Sequence, residues 1–492
     1  MAITLELFDG STTINFVGST NYKASIDSLS FGPPKLKTTI AGITLRGVEY
    51  GPRELSFSLR VVGSSASDLK SKVRDLENIL SVAEQRQVNG EGTVVLLKVQ
   101  VGNTDADDIS FRVLTGSLDL TTAVLDTLMV DSNFTEIGRL TLLTEPFGRL
   151  AAVTESTATL ENEQDDPTFN YMDITSIAGT HGSKLQLKID ESGTSWTGTK
   201  KMWVAKRSGE RRTDTLFFQG EDEASLTAGT NPGGAFTAFA SDGAEADATQ
   251  SGGQVARFGW EQSVQGQGLA IEWTSIGYAQ YDITGGNIPN GLYRVLVMCK
   301  EDTTAGDGGG PDVVFGDMGM ALGWVYGGLS KVPVDGDDVK FSADNTYEVM
   351  DLGELALPPA NVPDGFTPAT FNLRIYGTYK DTTAASNQIN NGEYLRWLID
   401  YIFLLPIDEG SAIINSVSAD TDLVLLDSLS DTPGVYILDT SSVVQKFADV
   451  TGGPFDIGPE DTRIFVLRND TGNPTTVAFT VDAVHTPLVM DI

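Results

Sequence analysis

Apolar and polar residues alternate with a period of two along much of this chain. The runs Leu55-Ser-Phe-Ser-Leu-Arg-Val61, Thr93-Val-Val-Leu-Leu-Lys-Val99, Tyr293-Arg-Val-Leu-Val297 and Phe371-Asn-Leu-Arg-Ile-Tyr376 all follow it. Successive side chains of a strand point to opposite faces, so such runs specify half-buried strands. One stretch departs from the pattern. Leu69, Val73, Leu76, Leu80 and Ala83 recur every three or four residues, which puts them on one face of a helix from about Ser67 to Arg86. Ser64, Ser65 and Ser67 supply N-cap oxygens, and Asn89-Gly90 supplies a stop. The expected fold class is all-β, mainly β-sandwich or jelly-roll domains, with one amphipathic helix in the N-terminal domain.

At roughly 150 residues per domain, 492 residues make about three domains. The first is expected over 1–150, where Pro146 and Gly148 end the strand Leu140–Glu145. A second, over 151–408, opens at the polar stretch 161–166 and closes with Asp400-Tyr-Ile-Phe-Leu-Leu-Pro-Ile407. The third is a small β domain over 409–492.

Charge narrows the function. The chain carries 33 Lys and Arg against 67 Asp and Glu, a net charge of −34. Phosphate backbones and anionic lipids need a cationic surface, so nucleic acid and membrane surfaces are poor partners for it. No run reaches the ~18 apolar residues of a membrane helix, and the opening residues have no basic and apolar secretion signal. The expected place of synthesis is a host cytoplasm.

Catalytic material is scarce. Cys299 is the single cysteine, so no internal disulfide forms; its β-rich surroundings mark it as a core thiol. His181 and His485 are the two histidines, too few for a histidine metal cluster. Glu221, Asp222 and Glu223 read as a solvated acidic turn. Catalytic residues, cofactor ligands and metal ligands are therefore expected to be absent. One exception stays open: the turns Asp307–Asp312 and Asp335–Asp338 place oxygens where either backbone geometry or a structural Ca²⁺ would use them.

Two clusters suggest contacts. Trp260, Trp273, Trp324, Tyr326, Tyr376, Tyr379 and Trp397 gather in the middle region. Of these, Trp324 and Tyr326 alternate onto one side of a glycine-flanked strand and are the candidates for stacking on a sugar ring. The stretch 200–212 concentrates the positive charge; it reads equally as a strand with snorkelling basic side chains or as a contact with an acidic neighbour subunit, for which Lys206, Arg207, Arg211 and Arg212 are the candidates.

Three passages carry a resemblance. Arg53-Glu-Leu-Ser-Phe-Ser-Leu-Arg-Val-Val-Gly63, the helix, the strand 92–101 and Leu140-Thr-Leu-Leu-Thr-Glu-Pro-Phe-Gly148 follow the order of the ring-forming N-terminal domain of distal-tail proteins. The series from Tyr281-Asp-Ile to Leu398-Ile-Asp-Tyr-Ile-Phe-Leu-Leu-Pro406 is similar to jelly rolls of the carbohydrate-binding type. Gly453–Leu467 followed by Val477-Ala-Phe-Thr-Val481 looks like the terminal β-segment of such tail proteins. The chain thus resembles the distal-tail and minor tail-tip proteins of long-tailed, siphovirus-like bacteriophages. That resemblance implies a non-enzymatic structural subunit of the virion tail, assembling in a ring with other tail proteins and helping attachment to the host surface. The alternatives are an adhesin that binds a host-surface glycan and, third, a polysaccharide-degrading enzyme.

Overall fold

Alternation becomes strands, and the one helical period becomes one α-helix among the described residues. The computed structural model describes residues 3–41, 44–89, 93–101, 108–120, 128–130, 133–160, 171–190, 199–213, 216–227, 236–243, 254–262, 266–267, 274–283, 291–302, 316–334, 336–341, 346–357, 371–381, 388–389, 394–418, 423–430, 432–439, 441–469 and 479–490. These residues divide into two units. The first holds residues 1–153 together with 177–184 and the segment from His485 on; the second holds 154–176 and 185–484.

In the first unit, Thr13–Asn15, Ile3–Phe8, Leu96–Val101 and Asp108–Leu120 pair in antiparallel succession. Asp108–Leu120 then changes partner. Its Asp108–Arg112 half pairs with Leu96–Gln100, and its Val113–Leu120 half pairs with Asn133–Thr144. Asn133–Thr144 lies against Arg53–Gly63, which pairs in turn with Tyr22–Phe31. One bent strand so joins two ladders. The helix Ala66–Asn89 covers them, burying Leu69, Leu76, Ile79, Leu80 and Ala83 with Phe57, Leu59, Phe111, Leu140 and Leu142.

The helix start is fixed by its own side chains. Ser65 Oγ accepts from Asp68 N at 3.1 Å, and Asp68 Oδ2 accepts from Ser64 N at 2.7 Å and from Lys72 Nζ at 3.0 Å. The first of these takes up an N–H group that a helix start leaves without a partner, and the other two tie Asp68 to the residue before the cap and to the next turn. Gly63 stands where the strand meets that start: a Cβ there would lie 2.5 Å from Leu69 N.

The second unit is built in layers. One six-stranded sheet runs Phe236–Gly243, Val255–Gln262, Tyr394–Pro406, Gly291–Asp302, Glu348–Leu357, with Phe217–Gln219 on Tyr394–Pro406. A second runs Ser225–Thr227, Thr274–Asp282, Phe371–Asp381, Gly316–Tyr326, Leu329–Lys331, with Val339–Lys340 on Gly316–Tyr326. From Thr274 to Pro406 the chain's six main strands alternate between these two sheets. Trp397 Nε1 donates across to Gly319 O at 2.9 Å, and its ring occupies space that a Cβ on Gly377 would claim at 2.5 Å.

The other face of the first sheet is covered as well. A five-stranded sheet, Tyr171–Ile174, Thr462–Arg468, Thr199–Ser208, Ser411–Ser418, Val450–Gly452, adds Trp203, Ala205, Ile413, Phe465 and Leu467 to the same core. Phe403 and Phe465 meet at 5.6 Å between centroids. Burial on both faces explains why Tyr401–Leu405 and Val295–Cys299 are apolar without alternation. Cys299 is buried in this core, where loss of solvation pushes its thiol well up.

The boundary expected at 408/409 runs through this architecture. Thr199–Ser208 has Ser411–Ser418 on one side and Thr462–Arg468 on the other, so strands from both sides of 408 complete one sheet. The first boundary falls near 150, but that unit also includes the two later segments.

Candidate interaction surfaces

The basic stretch was expected on the surface; the structure turns its centre inwards. Arg207 lies on Thr199–Ser208, is 0% exposed, and donates from Nη1 to Asp408 Oδ1 at 2.8 Å. Its Nη1 also reaches Glu409 Oε1 at 3.5 Å, its Nη2 donates to the Tyr293 hydroxyl, and its guanidinium lies 5.1 Å from that ring's centroid. Arg211 pairs with the same carboxylates, at 3.5 Å to Asp408 and 3.2 Å to Glu409. Lys206 Nζ donates to Asp456 O, and burial pulls its pKa down against Glu409 and Asp456. The side chain of Arg212 lies outside the described residues. Arg207 is thus no contact for a neighbour. A buried guanidinium requires paired anions, and the chain supplies them directly after Pro406. Tyr293, beside it, is pushed up to about 12 by burial, with Arg207 and Arg211 opposing.

The aromatic candidates also turn inwards. Trp324 pairs across the ladder with Leu373, and Tyr326 with Phe371. Directly opposed residues share a face, and Leu373 and Phe371 are core. Both rings are half-buried against Phe371, at 5.9 Å and 5.8 Å between centroids. Trp260, Tyr376, Tyr379 and Trp397 are buried, and Trp273 lies outside the described residues.

The acidic turn is less solvated than its composition suggests. Tyr281, fully buried, donates to Gly220 O at 2.9 Å and draws the Gly220–Asp222 turn onto the sandwich. Glu223 is pushed up to about 7, first by burial and then by Asp242 on the edge strand Phe236–Gly243. Of the calcium turns, 307–312 and Asp335 lie outside the described residues. Asp337 accepts from Val334 N at 3.4 Å and faces Lys331 Nζ at 3.6 Å. Among the described residues no group of three or more His, Cys, Asp or Glu could hold a metal ion. No described helix is long and apolar enough to cross a membrane.

Two features gave no sequence signal. His181 stacks on Phe147 at 4.7 Å, and Tyr50 meets both rings edge-on, which gathers three aromatic rings from distant positions of the first unit. The strand Val444–Phe447 is exposed throughout and pairs on one side only among the described residues.

No protein-family model and no curated protein matches the chain. Solved structures give slight likenesses. The SPP1 Dit protein, described as a paradigm of the hub adsorption apparatus in phages infecting Gram-positive bacteria, is 14% identical over 44% of this chain and 73% of its own, with a TM-score of 0.25. The phage p2 baseplate in its activated conformation with Ca is 11% identical over 85% of this chain and 99% of its own, with a TM-score of 0.20. Infectious bursal disease virus, Gx strain, is 9% identical over 68% and 81%, with a TM-score of 0.15. The first two neighbours are phage tail hub and baseplate proteins.

Proposed function

We propose that the chain is a structural subunit of a bacteriophage tail tip, of the distal-tail kind, that assembles in a ring with copies of itself and with other tail proteins in the virion. The observation that supports this most is the order of the first unit: strand Arg53–Gly63, helix Ala66–Asn89, strand Leu96–Val101, then Asn133–Thr144 running into Glu-Pro-Phe-Gly. That order is the one carried by the sequence resemblance, here with the helix laid on Arg53–Gly63 and Asp108–Leu120. In the second unit the buried Arg207 is neutralised within the chain by Asp408 and Glu409, so it needs no neighbouring subunit to answer its charge. Sedimentation and electron microscopy of the purified protein test the reading. Rings support it; a monomer at every concentration, with no added tail protein able to recruit it, overturns it.

A second reading has its own observation. The alternation of six strands between two sheets supports the jelly roll that the sequence resemblance implies, and Trp324 and Tyr326 are half-buried, not fully covered, which a stacking contact with a sugar would need. A glycan array with the full chain reads this. Signal lost in Trp324→Ala and Tyr326→Ala supports it, and silence across bacterial surface polysaccharides removes it.

A further inference from the structure

The strand Val444–Phe447 closes one end of a ladder in which Leu423–Asp427 pairs with Gly434–Leu438, and Gly434–Leu438 with Val444–Phe447. Leu423, Leu425, Tyr436 and Leu438 form a small cluster on one face of this ladder. Val444 and Phe447 lie three positions apart and would point to opposite faces of a regular strand. A bulge changes that. The register shifts so that Phe447 opposes Tyr436 and Val444 opposes Leu438, with Gln445 as the extra residue. Both apolar side chains therefore extend the clustered face outwards, Phe447 against Tyr436 at 5.0 Å between centroids. They end in solvent, Val444 53% and Phe447 71% exposed, with Val443 at 55% beside them.

We propose that this edge pairs antiparallel with the same edge of a second copy of the chain, about a two-fold axis. A two-fold contact requires a patch complementary to itself, and Val-Gln-Lys-Phe has that property. Setting Val444 opposite Phe447 of the other copy places Gln445 opposite Lys446, and the axis repeats both pairs. Apolar ends meet apolar ends. The charges match too. Gln445 Nε2 donates to Asp439 Oδ2 at 2.9 Å, so the Lys446 ammonium of each copy arrives beside the other's Asp439 carboxylate. On a chain of −34 these two attractions oppose the general repulsion between copies. Lysines and bulges commonly keep sheet edges from pairing indiscriminately; in this strand they select one register.

The test uses full-length protein. Cys299 is buried, so an introduced thiol is the reactive one. Chains carrying Gln445→Cys mixed with chains carrying Lys446→Cys should form a mixed disulfide on mild oxidation, and a Val443→Cys with Lys446→Cys mixture should form at least tenfold less. By sedimentation, Lys446→Glu and Phe447→Glu should each halve the mass of the particle seen for the unaltered chain at the same concentration. Both residues lie at the surface, so circular dichroism should be unchanged. Equal cross-linking in the two mixtures, or masses unaltered by both substitutions, overturns the proposal. A ring made by other surfaces leaves this readout intact, because only the two-fold contact links position 445 to 446.

Discussion

The two units solve the same problem with different amounts of cover. In the first, a bent ladder has its inner face closed by one helix, so its strands largely keep an alternating pattern: Leu55, Phe57, Leu59 and Val61 are buried, with Ser58 exposed and Arg60 half-buried between them and Ser56 the one buried polar residue of the run. In the second, a central sheet is closed on both faces, and its strands Tyr394–Pro406 and Gly291–Asp302 lose alternation. A charge caught between two layers must then be answered inside, as Arg207 is by Asp408 and Glu409. One layer of cover sorts residues by face; two layers sort them by partner.

Substitutions can break that contrast. The largest effect is expected for Trp397→Ala, which empties the space between two sheets at a cost of about 3–5 kcal/mol. Calorimetry should show the second unit's transition lowered and the helix-bearing unit's unchanged. Arg207→Ala leaves two carboxylates without their buried cation and should cost about 3–5 kcal/mol, while Arg207→Met should recover a good part of it. Equal losses for Ala and Met would mean that the charge, and not the filled volume, makes the site. Leu76→Ala, in the one-sided cover, should cost about 2–3 kcal/mol, read as a lower melting temperature of the first unit alone.

Acid sharpens the contrast with smaller effects of opposite sign. Asp68 is held down to about 2 by the Ser64 N–H and Lys72, so what it gives the helix start is present above its ordinary 3.8 and is lost as pH falls towards 2. Glu223 is raised to about 7, so its contribution is complete below its ordinary 4.5 and is lost as pH rises through 7. Going from pH 7 to 4.5 should therefore strengthen the second unit slightly, and Glu223→Gln should remove that gain. Going from 4 to 2 should weaken the helix start, with Asp68→Asn flattening the response. Thermal melts across pH read both.

The residues that were legible in sequence are those whose surroundings are local. Leu69, Leu76, Leu80 and Ala83 name the helix's buried face because one turn of helix and one covered side settle it; Ile79 was missed on the edge of the same stripe. The apolar run at 401–405 announces burial on both faces but says nothing of what covers it. The cover comes from Trp203, Ile413 and Phe465, strands brought together over more than two hundred positions. The basic stretch misled for a related reason. Arg207 follows Met202-Trp-Val-Ala205, an apolar run that hints at an interior course, yet its anions lie 201 and 202 residues further on. Trp324 and Tyr326 share a side, as their alternation implies; which side depends on Leu373 and Phe371 across the ladder.

The segment from His485 on gives the first unit a history as well as a shape. Gly148 pairs with Val489, Arg149 with Leu488, and Arg53 Nη2 donates to Met490 O across 437 residues of sequence. A ribosome adding about 5–20 residues per second reaches Met490 roughly 20–90 s after Arg53. For the part of that interval after Arg149 is made, the opening strands wait with the ladder at Gly148–Arg149 unfilled while the second unit, 154–176 and 185–484, is being made. The unit translated first is therefore the one completed last, and its closing residues act as a receipt that everything between has been made.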